Sequence, residues 1–258
     1  MPGDAVITFE NVTKRFGAAA PALDGVSLSV ARGEFLAVAG ASGSGKTTLL
    51  QLINRLSEAS EGVLRIGGED VRILEPIGLR RRIGYVFQEV GLFPHMTVAE
   101  NITITPKLLG WDEGPMRARA EELLALVRLD PAYHDRFPHQ LSGGERQRVG
   151  VARALAAHPQ IVLMDEPFAA LDPLTRDALG EEYRRLHETL GLTTVMITHD
   201  ILEALTLADR IAVLQAGRVV AMGTPDEVMA HRDDYVRDLM STPLRHAERL
   251  ASLLGAEG

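Results

Sequence analysis

The pattern of hydrophobic and polar residues changes several times along the first third of the chain. Apolar and polar residues alternate over residues 6–9 and 26–30, which predicts strands with one buried face. Residues 34–39 are mostly apolar, as in a strand that is buried on both faces. A glycine-rich turn follows, and the apolar residues of segment 47–55 then recur at helical spacing. The pattern therefore predicts strands, a turn and a helix.

From residue 88 to about residue 158 the strand-like runs disappear and helical spacing dominates. We interpret this segment as a mainly helical lobe inserted into the core. The strands predicted beyond it from short apolar runs are 161–164, 193–198, 211–214 and 219–222. Helical spacing returns at 201–208. Because strands alternate with helices, an α/β core with mostly parallel strands is expected.

Two helix starts can be predicted from residue types alone. Asp172 followed by Pro173 has the form of an N-cap with proline at the first helical position. Thr224-Pro225-Asp226-Glu227 has the Ser/Thr-x-x-Glu form of a capping box. Both segments therefore predict helices that begin at a defined residue.

The composition narrows the class of protein. Of the 258 residues, 46% are hydrophobic and 24% charged, which suits a folded chain with one sizeable core. The net charge is −8 and no block of lysine and arginine occurs, so nucleic acid is not expected as a partner. Without cysteine there is no disulfide, thiolate metal site or cysteine nucleophile. No run of about 18 apolar residues occurs, so no spanning helix is expected.

The glycine-rich turn fits the pattern G-x-x-x-x-G-K-[ST] at every fixed position. Its glycines allow backbone N–H groups to curl around phosphates, and the helix that follows directs its positive end at them. Lys46 is expected to neutralise β- and γ-phosphate oxygens, and Thr47 to offer its hydroxyl to Mg²⁺. The residues predicted here to contact ATP are Gly40, Ala41, Ser42, Gly43, Ser44, Gly45, Lys46, Thr47 and Thr48.

A second segment of the chain carries two acidic residues that are suited to hold a metal ion and to activate a water molecule. The apolar run 161–164 ends in Asp165 and Glu166, so two carboxylates stand at the end of a predicted strand. Asp165 is expected to reach Mg²⁺ through its water shell, and Glu166 to polarise the water that attacks the γ-phosphate. Together with the glycine-rich turn, this segment predicts binding and hydrolysis of Mg-ATP.

Between these two segments stands Leu141-Ser142-Gly143-Gly144-Glu145-Arg146-Gln147-Arg148. At this point the sequence closely resembles the ATP-binding cassette (ABC) ATPases, whose signature is LSGGQ. Other motifs of that family occur in the same order over residues 5–240. They are Phe16 where the family places an aromatic ring on adenine, Gln88 at the Q-loop, Ala170-Leu171-Asp172 at the D-loop and His199 at the switch histidine.

The resemblance implies a mechanism in which two cassettes pair head to tail around each ATP. Ser142, Gly143 and Gly144 of one chain would then meet the γ-phosphate bound by the other. His199 would contact the γ-phosphate and orient the water with Glu166. The resemblance thus implies four catalytic residues, Lys46, Gln88, Glu166 and His199, and three metal-site residues, Thr47, Gln88 and Asp165.

The resemblance also implies the fold and its subdivision. We expect a P-loop NTPase (RecA-like) α/β core with an N-terminal antiparallel β subdomain and an inserted α-helical subdomain. The cassette would span residues 5–240, with the core at about 5–87 and 159–240 and the helical subdomain at about 88–158. Residues 241–258 form a tail, in which Leu244, Ala247, Leu250 and Leu254 suit one short amphipathic helix.

Within the family, the chain is similar to ATPase subunits of osmoprotectant importers for glycine betaine, choline or carnitine. The stretches that carry this similarity are 80–88, 91–102, 106–111 and 133–140. It implies two membrane permease subunits, an extracytoplasmic solute-binding protein and a second ATPase subunit, with a homodimer expected. The chain is then expected at the cytoplasmic face of the inner membrane.

Alternatives remain open at this stage. The chain can belong to another ABC transporter, for amino acids or lipids, or to a soluble ABC ATPase without a transport role. Two positions depart from the usual motifs, because Glu145 replaces glutamine in the signature and Ala41 stands where proline is frequent. Neither position supplies a group that the chemistry requires, although Glu145 can alter closure of the cassette or its contact with a partner.

Overall fold

The computed structural model describes residues 5–243 and 245 of the chain. The strands in this part are β1 (Ala5–Lys14), β2 (Leu23–Ala31), β3 (Phe35–Ala39), β4 (Glu61–Ile66), β5 (Glu69–Asp70), β6 (Ile83–Val86), β7 (Ile161–Asp165), β8 (Thr193–Thr198), β9 (Arg210–Gln215) and β10 (Arg218–Gly223). The α-helices are α1 (Lys46–Ile53), α2 (Pro76–Arg82), α3 (Val98–Ile102), α4 (Ile104–Leu108), α5 (Glu113–Leu126), α6 (Gly143–Leu155), α7 (Pro173–Leu190), α8 (Ile201–Leu207), α9 (Pro225–Met229) and α10 (Asp234–Met240). Short 3-10 helices are formed by Pro131–Tyr133 and Pro138–Gln140.

The strands form two sheets. The central sheet has the order β10-β9-β3-β8-β7-β6, and each of its pairs is parallel except β9 with β10. The second sheet has the order β2-β1-β4-β5 and is antiparallel. The predicted α/β core with mostly parallel strands and the implied N-terminal antiparallel β layer are therefore confirmed.

Strand β3 divides the hydrophobic interior into two cores. All five of its residues are buried. Phe35, Ala37 and Ala39 belong to the core shared with the helices that follow β6, whereas Leu36 and Val38 belong to the core beneath α1 and the antiparallel sheet. Because successive side chains of a strand point to opposite faces, a continuous apolar run fills both cores.

Between β6 and β7 every described element is helical, and α6 packs on α3 and α5. The subdivision at residues 88 and 158 stays a prediction. Both predicted helix starts are confirmed, since Asp172 accepts from Thr175 N–H and Thr224 forms a capping box with Glu227. The helix predicted over 47–55 ends earlier, at Ile53, because Arg55 takes a positive φ of 55°.

Within the described residues, no helix combines the length and the apolar character needed to cross a bilayer. The amphipathic helix predicted around Leu244, Ala247, Leu250 and Leu254 lies outside the described residues.

Candidate nucleotide site

The predicted site residues collect at the carboxyl ends of three adjacent parallel strands. Strand β3 ends at Ala39 and leads into Gly40, β7 ends at Asp165 and β8 ends at Thr198. Strand β8 pairs with both β3 and β7. In sheets of this kind, ligands bind outside the carboxyl ends of the strands. The chain therefore brings its glycine-rich loop, its carboxylate pair and His199 to the same edge.

The glycine-rich loop of residues 40–45 needs glycine where its backbone packs against neighbouring backbone. A Cβ on Gly40 would lie 2.2 Å from the carbonyl oxygen of Leu214. A Cβ on Gly45 would lie 2.3 Å from the carbonyl oxygen of Ala22, and Gly45 has a φ of +107° as the N-cap of α1. The loop is thus wedged between β9 and the β1–β2 turn, directly before α1.

Lys46, the first residue of α1, bonds to the backbone of this loop through its side chain. Its Nζ donates to the carbonyl oxygens of Gly40 at 2.8 Å and Ala41 at 3.0 Å, and the residue is 7% exposed. Burial lowers the pKa of Lys46, and the negative charges of Glu166 and Asp165 partly oppose this shift. The ammonium group is therefore held by the loop backbone, near enough to Glu166 and Asp165 to interact with their charges.

Asp165 and Glu166 form an acidic pair beside Lys46. Burial and the neighbouring charge of Glu166 raise the pKa of Asp165, while Lys46 and the Tyr85 hydroxyl, 3.4 Å from Asp165 Oδ2, act in the opposite direction. Glu166 has a positive φ of 45°, and its N–H donates to the carbonyl oxygen of Ile197 in β8. This backbone geometry turns the Glu166 side chain towards the end of β8.

His199 completes this group. Its Nδ1 lies 3.0 Å from Glu166 Oε2, and the His199 side chain is 61% exposed whereas that of Glu166 is 22% exposed. The histidine is therefore a largely exposed residue that contacts the carboxylate predicted to act on water. Among oxygen ligands, the Thr47 hydroxyl and the Asp165 carboxylate suit Mg²⁺, which keeps several waters and needs few protein ligands.

The signature segment starts helix α6. Ser142 is the N-cap, and its hydroxyl accepts from Glu145 N–H at 3.3 Å while Glu145 Oε2 accepts from Ser142 N–H at 2.6 Å. The Tyr133 hydroxyl donates to Glu145 Oε1, and this bond together with the Ser142 N–H lowers the pKa of Glu145. The unusual Glu145 thus closes a capping box at the helix start, while Ser142 and Gly143 are exposed.

The remaining predicted residues, Phe16, Gln88 and Ser142, lie outside the glycine-rich loop and are exposed. Phe16 is 53% exposed, so it is not a core residue, and Lys14 Nζ lies 4.7 Å from the centre of its ring. Gln88 is exposed just beyond β6. Among the described residues, no hydrogen bond or ion pair joins Phe16, Gln88 or Ser142 to the glycine-rich loop.

The comparison with known proteins decides the family. The family model described as "ABC transporter" matches residues 23–169. The chain belongs to the ABC transporter family. As an ABC cassette it is similar to the choline transport ATP-binding protein OpuBA of Bacillus subtilis (strain 168), with 51% identity over 236 residues, 91% of this chain and 62% of that protein.

A second relative of this ABC cassette is the glycine betaine uptake system ATP-binding protein YehX of Escherichia coli (strain K12), 49% identical over 90% of this chain and 75% of that protein. The cassette thus spans roughly three fifths to three quarters of the length of these relatives. Among solved structures, it resembles the dimeric post-hydrolysis state of the ATP-binding cassette MJ0796 bound to ADP and Pi. The TM-score is 0.76 at 36% identity, covering 85% of this chain and 98% of that one.

Two tyrosines in the site were not predicted from the sequence as functional residues. Tyr85 contacts Asp165 across the β6–β7 pair. Tyr133, the last residue of the 3-10 helix Pro131–Tyr133, contacts Glu145 in the first turn of α6. Both contacts join residues far apart in sequence, and tyrosine is equally at home as a packing residue. The sequence carries no local signal for either contact.

Proposed function

We propose that this cassette binds Mg-ATP and hydrolyses it, and that hydrolysis drives solute import through partner membrane subunits. The observation that carries the proposal is the meeting of three groups at one sheet edge. They are the loop that holds Lys46, the Asp165–Glu166 pair, and His199 at 3.0 Å from Glu166. A cation for phosphates, a base for water and a group that orients the base are what phosphoryl transfer to water requires.

The residues divide the work by position. The N–H groups of the loop and the positive end of α1 bind the β- and γ-phosphates. Lys46, now held by carbonyl oxygens of its own loop, turns its charge to the γ-phosphate oxygens. Glu166 accepts a proton from the attacking water, and His199 keeps that carboxylate in place. Phe16, exposed beside Lys14, offers its ring to the adenine.

Mg²⁺ fits the donor set, since Thr47 supplies a hydroxyl, Asp165 a carboxylate and Gln88 an amide oxygen from the end of β6. When bound, the ion neutralises charge on the phosphate oxygens. The raised pKa of Asp165 supports this assignment, because a buried carboxyl beside Glu166 gains from a nearby positive charge.

A second copy of the cassette completes the site. Ser142 and Gly143 are exposed at the start of α6, a 13-residue helix, so N–H groups and a positive helix end face outward. We propose that they bind the γ-phosphate held by the partner chain. The dimeric state of the MJ0796 cassette bound to ADP and Pi supports this pairing.

An apolar groove suits the membrane partner. It has a volume of about 580 Å³ and is lined in part by Phe87, Phe93 and Leu108, which are 45%, 42% and 55% exposed. Gln88 follows Phe87 directly, so a segment seated in this groove lies next to a predicted metal-site residue. We propose that a short helix of the permease subunit docks here, which holds the cassette at the cytoplasmic face of the inner membrane.

The solute class is supported by the relatives alone, whose names specify choline and glycine betaine. We propose a quaternary ammonium osmoprotectant, supplied to the permease by an extracytoplasmic binding protein. No residue of the cassette is proposed to contact the solute. The alternatives are another ABC transporter or a soluble ABC ATPase.

The test is uptake of radiolabelled glycine betaine and choline at high osmolarity, in cells that lack the chain and in cells complemented with it. The proposal expects uptake to return with the wild type and to stay lost with Glu166→Gln. Unchanged uptake of both solutes without the chain would contradict the solute assignment. Restored uptake with Glu166→Gln would contradict the assignment of Glu166 as base.

A further inference from the structure

The guanidinium of Arg176, in the second turn of α7, joins two segments of the site that are distant in sequence. Arg176 Nη2 donates to the carbonyl oxygen of Leu171 at 3.2 Å, inside the predicted D-loop. Arg176 Nη1 donates to Asp200 Oδ2 at 2.9 Å. Since Asp200 directly follows His199, one planar cation holds both the D-loop backbone and the neighbour of the switch histidine.

The segment that carries His199 is also fixed from its other side. Thr198 Oγ1 donates to Glu203 Oε2 at 2.7 Å and accepts from Asp200 N–H at 2.9 Å. Arg176 Nε lies 3.8 Å from Glu203 Oε1. Asp200 Oδ1 accepts from Leu202 N–H at 2.9 Å, so the two oxygens of Asp200 have separate tasks. One caps α8, and the other binds Arg176.

The cluster of Arg176, Asp200 and Glu203 is shielded enough from solvent to hold its side chains in fixed positions. The side chains of Arg176 and Asp200 are 25% and 28% exposed, and that of Glu203 is 9% exposed. Charge-assisted hydrogen bonds in such surroundings are stronger and less screened than surface ion pairs. A guanidinium holds two partners in fixed directions, which a lysine ammonium does not do.

The position of His199 matters because its ring contacts Glu166 at 3.0 Å. Catalytic groups must be held to within about 0.5 Å, and a misplacement of about 1 Å can reduce turnover by about 100-fold. A movement of the D-loop that pulls Arg176 therefore reaches His199 through Asp200, without any contact between Arg176 and nucleotide.

We propose that Arg176 is a positioning residue that couples the D-loop to the switch histidine within one chain. When a second cassette fixes the D-loop, Arg176 holds Asp200, and Asp200 sets His199 against Glu166. The inference rests on the proposed function, because it requires hydrolysis of ATP by paired cassettes. It predicts a loss of turnover and of cooperativity in ATP, with no loss of ATP binding by the single chain.

The test compares three single variants of the full chain and the double variant that combines Arg176→Met with Asp200→Asn. Arg176→Met removes both hydrogen bonds. Asp200→Asn retains Oδ1 as the cap of α8 and removes the carboxylate that pairs with Arg176. Arg185→Met is the matched control, because Arg185 lies on the same helix and forms only an exposed pair with Glu181 at 4.0 Å among its described contacts. Binding of a fluorescent ATP analogue, the ATPase rate against ATP concentration, and thermal unfolding are measured for each.

We expect Arg176→Met and Asp200→Asn each to lower kcat about 10- to 100-fold. Each should also reduce the Hill coefficient of the ATPase rate in ATP, while the affinity for the fluorescent analogue stays unchanged. The double variant is expected to be no worse than Arg176→Met alone, because Arg176→Met already removes the contact that Asp200→Asn removes. Arg185→Met is expected to match the wild type.

Three results would overturn the inference. Wild-type kcat and cooperativity in Arg176→Met would show that the contact transmits nothing. In the second result, Arg176→Met and Asp200→Asn both bind the analogue more weakly, melt at a lower temperature and have a lower kcat. This would show that the contact between Arg176 and Asp200 is purely structural. Absence of hydrolysis in the wild type would overturn the proposed function and this inference with it, so the two failures are distinguished by the wild-type rate.

Discussion

Gly45→Ala is expected to destabilise the nucleotide-free chain more than an equally strained glycine substitution elsewhere. Gly45 has a φ of +107°, where an L-residue costs about 1–3 kcal/mol. Its new Cβ would lie 2.3 Å from the carbonyl oxygen of Ala22, and Cβ atoms essentially never come closer than 3.0 Å to such a neighbour. The loop or the β1–β2 turn must therefore move by several tenths of an ångström, which costs about 1–3 kcal/mol more.

Thermal unfolding without nucleotide measures this difference. The combined cost of about 2–6 kcal/mol corresponds to a fall in Tm of at least about 4 °C, at about 2–4 °C per kcal/mol. Gly110→Ala is the control, because Gly110 has a φ of +79° and no atom lies within 4 Å of its Cβ position. It carries only the backbone strain, about 1–2 kcal/mol. Equal Tm values for the two variants would refute the wedged loop.

Three further predictions concern the helix start of α6 and the acidic pair. Ser142→Arg should leave ATP binding by the isolated chain intact and abolish pairing; a variant with full ATPase activity in a coupled assay would contradict the proposed sandwich. Glu145→Ala should lose about 1 kcal/mol of stability whereas Glu145→Gln, which retains an oxygen for the Ser142 N–H, should lose less; equal Tm values would deny the capping role of Glu145. Asp165→Asn should raise the Tm of the nucleotide-free chain. The folded chain raises the pKa of Asp165, so its ionisation removes stability as pH rises through that pKa. The gain in Tm should therefore grow from pH 4 to pH 8, and a gain that shrinks over that range would contradict the burial argument.

The parts of the fold that could be predicted are those with strong local patterns. The apolar run that became β3 is buried at every position, and the helix starts at Asp172 and Thr224 follow from the capping preferences of their side chains. The glycine-rich loop was predictable because the phosphates constrain several residues at fixed spacing.

The segment from β4 to β6 carried no comparable pattern. Strand β4 has a single buried residue, Leu64, and is followed by Gly67 and Gly68. Helix α2 has seven residues, of which only Leu79 is buried. Short elements with one buried side chain have no periodicity to detect, so they are defined by packing against the rest of the molecule.

The candidate site shows the same division. Lys46, Asp165 and Glu166 could be proposed as site residues from the sequence, because they stand in or next to motifs that specify their chemistry. The contact between Arg176 and Asp200 could not be predicted, because it depends on how α7 packs against α8, whose N-cap is Asp200. The capping role of Glu145 was not predicted, because Glu145 was considered only as a departure from the usual signature. The hydrogen bond from the Tyr133 hydroxyl to Glu145 could not be predicted either, because only the fold brings these two residues together.

In the proposed mechanism, Glu166 activates water for hydrolysis of ATP held by the loop around Lys46. The most direct measurement is the single-turnover rate of ATP hydrolysis by the purified chain, wild type against Glu166→Gln, with nucleotide binding measured in the same samples. We predict that Glu166→Gln binds ATP as the wild type does, accumulates an ATP-bound dimer and hydrolyses about 100- to 10,000-fold more slowly. Hydrolysis by Glu166→Gln at the wild-type rate would contradict the account.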